Sequence, residues 1–297
     1  MPLSLTPESG ASLRGVSVET PTIAPTMTMG MVELTVSDLE RSLDYYERVV
    51  GLPTLERGAG RALLGADGRE LLVLVEEPGA KPSVGHTGLF HFALLLPDRV
   101  SLARWLAHAA RDRVRLTGAS DHWVSEALYL RDPDRHGIEI YADRPREVWE
   151  GKVASGMTTL PLDVDGLLGE LEDPAKEPFD GLPAGTTMGH VHLCVAAIPP
   201  VVEFYRDRLG FDLVAGWGEA AFLSAGGYHH HLGANTWESR GAPPPPPGTA
   251  ALRHATIVVP DAAERDRVLE RVDEVEELDG EPLVRDPSGN ALVLTPA

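Results

Sequence analysis

A single cysteine, Cys194, is all that the 297-residue chain contains. An intramolecular disulfide and a thiolate zinc cluster are therefore both excluded. Cys194 lies in the apolar run "HVHLCV", which marks it as a small packed core residue. Positive charge is scarce as well: 26 Lys and Arg stand against 45 Asp and Glu, a net charge of −19. No basic cluster offsets that excess, so a phosphate backbone would be repelled and nucleic acid is not an expected partner. Long apolar runs are missing too. None approaches the roughly 18–20 residues that would span a bilayer, so no membrane is expected as a partner. Residues 1–28 lack a continuous apolar stretch behind a basic start and read as a flexible leader, not a signal peptide. A cytoplasmic, reducing setting is the expectation.

What is present is ample material for a core. With 43% hydrophobic and 24% charged residues, the chain is long enough for roughly two domains. A repeat gives the plan. "MGMVELTVSDLERSLDYYERVVGL" (29–52) matches "MGHVHLCVAAIPPVVEFYRDRLGF" (188–211). Each is an alternating strand-like run, then an amphipathic helix with an aromatic pair and a basic turn, then a glycine suited to a left-handed cap at Gly51 or Gly210. A second match joins "GLFHFALLLPDRVSLARWLAHAARD" (88–112) to "ALRHATIVVPDAAERDRVLERVDEV" (251–275), with the Asp after proline as a helix N-cap. Both close on a strand, an Asp-Pro turn and a strand, at 129–143 and 283–297.

The chain thus reads as four βαβββ units, near 30–77, 88–143, 188–237 and 251–296, in an α+β fold. Residues 29–147 and 188–297 form the two expected domains, joined by a linker at 148–187. "GAPPPPPG" (241–248) is a stiff polyproline II spacer between units three and four.

Histidine is concentrated in one place. "GGYHHHLGANTW" (226–237) puts three of the 11 histidines side by side in a stretch that reads as a strand. Alternation would then turn His229 and His231 to one face and His230 to the other. Glu139 is conspicuous between isoleucines in "GIEIY", since a carboxylate inside an apolar strand is costly unless paired or bound to a metal. His91 and His190 begin apolar strands, where an ordinary core histidine is the alternative. His86, His108 and His136 read as loop or helix-surface residues, and His254 as structural.

The repeat, with "GHTGLFHFALLLPD", "SEALYLRDPD", "ADRPREVW" and "AGGYHHHLGANTW", resembles the vicinal oxygen chelate superfamily, in its catechol 2,3-dioxygenase-like branch. The resemblance covers nearly all of residues 30–297. It implies paired βαβββ units curled around a metal, and an extradiol ring-cleaving dioxygenase acting on a catechol-type aromatic diol with O2. Extradiol enzymes hold Fe(II) by two histidines and a glutamate, a set that leaves positions for substrate and oxygen; Mn(II) or another divalent metal could serve. The family pattern takes one His from the first strand of one unit, and from the partner unit a His on the first strand and a Glu on the last.

Testing unit pairs against that pattern selects one. Unit one carries Met31 where the His is expected. Unit four has His254, but Val293 stands in place of the Glu. Units two and three together supply His91, Glu139 and His190 as metal ligands, which requires those two units to meet around one cavity. His192, on the same face as His190, is an alternative ligand. By the same resemblance, "DHWVSEALYLRDPDRHGIE" offers His122 and Tyr129 as catalytic residues that hydrogen-bond the substrate oxygens. Ser120 and Arg135 depart from the glycine-like residues usual there. The acid–base histidine aligns with His230, although a one-residue slip would choose His229 or His231. Two other readings stay open: a glyoxalase-like metalloenzyme (lyase, isomerase or thiol transferase), or a non-catalytic small-molecule-binding protein of the same fold. Self-association as a homo-oligomer is also left open.

Overall fold

The structure, a computed structural model, describes residues 21–297. Unit one comprises β1 (Thr28–Val36), α1 (Leu39–Tyr45) running into a π-helical turn (Tyr46–Val50), β2 (Thr54–Gly58), β3 (Arg61–Ala66) and β4 (Arg69–Glu76), followed by the short β5 (Lys81–Pro82). Unit two comprises β6 (Gly88–Leu96), α2 (Arg99–Arg111), β7 (Gly118–Asp121), β8 (Ser125–Arg131) and β9 (Gly137–Asp143). Between the halves lie α3 (Arg146–Trp149), α4 (Val153–Gly156), β10 (Leu160–Pro161) and α5 (Val164–Leu168). Unit three comprises β11 (Thr187–Cys194), α6 (Ile198–Glu203) with its π-helical turn (Phe204–Leu209), β12 (Asp212–Trp217), β13 (Ala220–Ser224) and β14 (Leu232–Asn235). After β15 (Thr249–Ala250), unit four adds β16 (Leu252–Val259), α7 (Ala262–Leu269), β17 (Glu276–Leu278), β18 (Glu281–Arg285) and β19 (Ala291–Pro296).

The expected punctuation is in place. Gly51 and Gly210 cap their helices in the left-handed region, at φ 84° and 92°. The carboxylates of Asp98 and Asp261 accept from the backbone N–H groups of Ser101 and Glu264 at 2.7 and 2.8 Å. In the Asp-Pro turns, Asp132 accepts from His136 N–H at 2.7 Å, and Asp286 from Ser288 and Asn290 N–H at 2.8 and 2.9 Å.

Beside the two-stranded pair β15–β5, two large sheets result, and each of the two draws one unit from each half of the chain. The nine-stranded sheet runs β10-β7-β8-β9-β6-β11-β14-β13-β12, joining units two and three through the antiparallel pair β6–β11. The eight-stranded sheet runs β17-β18-β19-β16-β1-β4-β3-β2, joining four and one through β16–β1. Helix-to-turn contacts connect the units the other way. Tyr46 of unit one donates to Asp132 of unit two at 3.1 Å, and Tyr205 of unit three to Asp286 of unit four at 2.9 Å.

One continuous core takes Leu34, Leu74 and Ile257 from one sheet, Phe92, Ile140 and Val191 from the other, and Trp105 from α2. Strand alternation decides what the opposite face of the nine-stranded sheet carries. With Phe92 and Leu94 of β6, Ile138 and Ile140 of β9, and Val191 and Leu193 of β11 committed to the core, His91, Glu139, His190 and His192 fall on the other side.

Several local expectations differ from what is seen. Residues 1–20 of the expected leader lie outside the described residues; of its remainder, Ile23 and Met27 are buried, and the Ile23 N–H donates to the Gly210 carbonyl at 2.8 Å. The linker is structured: β10 pairs with β7 at the edge of the nine-stranded sheet. His108 and His136 are buried, not on the surface. His108 stacks on Phe179 with ring centroids 4.0 Å apart, and His136 Nε2 lies 2.9 Å from the Thr35 carbonyl. Their neighbours come from distant parts of the chain, so local pattern carries no trace of the burial. No helix among the described residues is long and apolar enough to cross a membrane.

Candidate metal centre

Four strands of the nine-stranded sheet place His190 (β11), Ala93 (β6), Glu139 (β9) and Tyr129 (β8) in one cross-strand row. His91, two residues before Ala93, faces the same way and pairs with His192 across the β6–β11 joint. Alanine at the centre leaves room for the flanking side chains to lean together over it. Two glycines permit the close backbone approach. A Cβ at Gly137 would run into the Phe90 carbonyl oxygen and meet His91 Cβ at 3.0 Å, and one at Gly189 would strike the Tyr141 hydroxyl.

His91, Glu139 and His190 therefore converge, all buried. His91 Nε2 is 2.9 Å from Glu139 Oε2, His190 Nε2 is 3.1 Å from the same oxygen, and the two nitrogens are 3.3 Å apart. Three donor atoms bonded at about 2.1 Å to one ion and set at right angles would lie about 3.0 Å apart. The triangle and its chemistry, two imidazoles and one carboxylate, fit a first-row divalent metal.

Electrostatics favour the ligating forms. Burial pushes the Glu139 carboxyl up, but the imidazoles of His190 and His91 outweigh it and hold Glu139 well below the usual carboxylate range. Burial pulls His190 down to about 4 against the attraction of Glu139, so its ring stays neutral with a lone pair to offer. His190 Nδ1 has no hydrogen-bond partner among the described residues. Packing orients the ring instead: the His230 and Tyr141 centroids lie 4.0 and 5.0 Å away.

The cluster lines a cavity of about 410 Å³, a volume suited to a small organic ligand. Phe90, Phe222 and Trp237 form aromatic walls, and Met157, Thr158 and Thr159 from the segment between the halves close one side. Tyr129 and His122 lie on the same cavity, with Tyr129 Oη 2.7 Å from His122 Nε2. His122 Nδ1 is 2.8 Å from the Thr158 carbonyl and must donate to it, so Nε2 accepts from the tyrosine. Burial, reinforced by the Glu139 carboxylate, raises the Tyr129 phenol well above its ordinary value.

The triple histidine departs from its expected form. Only Leu232–Asn235 is strand, and His229–His231 occupy a bent run before it. Face alternation consequently does not apply. Only His230 of the three lines the cavity. His229 is fully buried, with Nε2 2.8 Å from Asp143 Oδ1 and Nδ1 2.8 Å from His230 Nδ1. His231 turns back, its Nδ1 accepting from the Ala225 N–H at 3.2 Å.

His192 lines the cavity between Phe90, Phe222 and Trp237, outside the three-atom cluster. His254 pairs with Glu33 across β16 and β1 on the other sheet. Sequence reasoning missed Asp143 and Tyr141. Both share the face of β9 with Glu139 at period two, a signal that could have found them.

Comparison with known proteins agrees with this architecture. The family model described as Glyoxalase/Bleomycin resistance protein/Dioxygenase superfamily matches residues 28–140 and 187–294. A catechol-2,3-dioxygenase of Bacillus subtilis is 44% identical over 278 residues, covering 89% of this chain and 95% of its own. Among solved structures, glyoxalase I from Zea mays superposes with a TM-score of 0.55 at 18% identity, over 91% of this chain and 92% of the other. The cppA protein of Streptococcus pneumoniae gives 0.53 at 13% identity, over 94% and 99%. These two share the fold. From the double family match and the close relative it follows that the chain belongs to the Glyoxalase/Bleomycin resistance protein/Dioxygenase superfamily, on its catechol 2,3-dioxygenase-like branch of oxidoreductases.

Proposed function

We propose that this protein is an extradiol dioxygenase that uses Fe(II) and O2 to open a catechol-type ring beside its diol. The observation that carries the reading is the meeting of His91, Glu139 and His190 in the wall of an aromatic-lined cavity that His230, His122 and Tyr129 also face. The 44% identity to a catechol-2,3-dioxygenase supports it. The cluster holds three protein donors, whereas a glyoxalase-like centre needs a fourth.

Fe(II) held by the triad would supply Lewis acidity toward the diol and an electron path between diol and dioxygen. The protein's own groups do the rest. His230 takes a proton from a diol hydroxyl and later returns it. Tyr129, whose one hydroxyl hydrogen goes to His122, accepts from a diol hydroxyl, and His122, anchored at Thr158, fixes where the tyrosine oxygen sits. Phe90, Phe222 and Trp237 stack on the ring and keep water out. A reducing cytoplasm would suit both an oxidisable ion and a free, buried Cys194.

Anaerobic loading with Fe(II), followed by catechol and air, should yield a yellow ring-opened product with one O2 consumed per ring. Glu139→Gln should weaken Fe(II) binding and reduce ring opening at least about a hundredfold. Absence of oxygen uptake with each of several aromatic diols would remove the proposal.

A further inference from the structure

Behind His230 lies a chain of polar groups that never reaches the cavity. His229 Nε2 is 2.8 Å from Asp143 Oδ1, and His229 Nδ1 is 2.8 Å from His230 Nδ1. The Tyr228 hydroxyl oxygen is 2.9 Å from that of Tyr141. Trp149 and Tyr228 pack on His229, with ring centroids at 5.7 and 4.0 Å.

We infer that Asp143 and His229 are positioning residues that fix the tautomer of His230, so that its bare nitrogen is the one left for the cavity. The argument needs only donor and acceptor counting. A neutral imidazole carries one N–H, and two ring nitrogens 2.8 Å apart must be one donor and one lone pair. Asp143 offers only acceptors, so His229 carries its hydrogen on Nε2 and its Nδ1 is bare. That lone pair obliges His230 to donate from Nδ1. His230 Nε2 is left bare on a residue that lines the cavity. Both hydrogen bonds of the run point toward Asp143, from His230 to His229 and from His229 to the carboxylate. When His230 accepts a proton at Nε2, no bond of this chain has to break. The opposite tautomer would present an N–H to the cavity and could not act as a base. The part this plays in turnover rests on the ring-opening reading; the tautomer itself does not.

The test is made on metal-free, full-length protein labelled with 15N-histidine, by long-range 15N–1H correlation near neutral pH. The expected spectrum has His229 protonated at Nε2 and His230 at Nδ1. A wild-type His230 carrying its hydrogen on Nε2 overturns the inference, whatever the variants do. Asp143→Asn can donate to His229 Nε2 and should invert or mix both tautomers, while Asp143→Glu should restore them. In the Fe(II)-loaded enzyme, D143N should lose about a hundredfold in kcat with KM for catechol within about threefold. Unchanged tautomers and unchanged kcat in D143N would overturn the role of Asp143. The expected spectrum in a protein that opens no diol would uphold the tautomer and defeat the ring-opening reading instead.

Discussion

Gly137 has no side chain, yet it sets the height of His91, a proposed metal ligand. Its Cα lies under the Phe90 carbonyl, and any Cβ there collides with that oxygen and with His91 Cβ. Gly137→Ala should therefore push β6 outward at His91 and open the three-atom cluster. The expected cost is about 1–3 kcal/mol of stability and about ten- to a hundredfold in Fe(II) affinity, read by denaturant melts and anaerobic metal titration. A stability loss with unchanged metal affinity would show that His91 does not depend on this glycine. The residue types of the cluster were legible in the sequence, because a glutamate between isoleucines and a histidine opening an apolar strand are costly choices. Which residues crowd them was not legible. Ala93 and Gly137 are ordinary residues until the strands are in register.

At the scale of elements, the Asp-Pro turns do more than reverse the chain. Asp132 is buried, and burial raises its pKa against the help of His136 and the Tyr46 hydroxyl. Tyr46→Phe leaves that oxygen one donor short and should cost about 1–3 kcal/mol in denaturant unfolding, with the β8–β9 turn loosening first. The turns themselves were readable, since proline and aspartate announce them locally. Their tyrosine partners were not, because Tyr46 and Asp132 are 86 positions apart. Nor was the bent path of His229–His231. A run of polar and aromatic residues after Gly226-Gly227 reads as strand by composition, but both glycines take positive φ and turn the chain before the pairing of β13 and β14 begins.

For the whole molecule, the sheets and the helix contacts divide the four units differently. Sheets join two with three and one with four, while Tyr46–Asp132 and Tyr205–Asp286 join one with two and three with four. Neither half of the chain owns a complete sheet. Residues 1–147 expressed alone would leave β6 and β1 as bare edges, an invitation to self-pairing. They should show no cooperative monomeric melt in calorimetry, and co-expression with residues 148–297 should restore one. A sharp transition of the isolated piece would contradict this. The four units could be read from the repeat, because their periodicities are local. Which edges meet could be argued only from the ligands each unit keeps, since β1 and β11 present similar edges. The eight-stranded sheet repeats the frame of the other with different contents: Met31 for His190, His254 for His91, Val293 for Glu139, and Thr256 opposite Val293 where Ala93 stands opposite Glu139. The protein thus carries its own internal control. A perturbation felt equally by both copies reports on the scaffold, and one felt by a single copy reports on the chemistry.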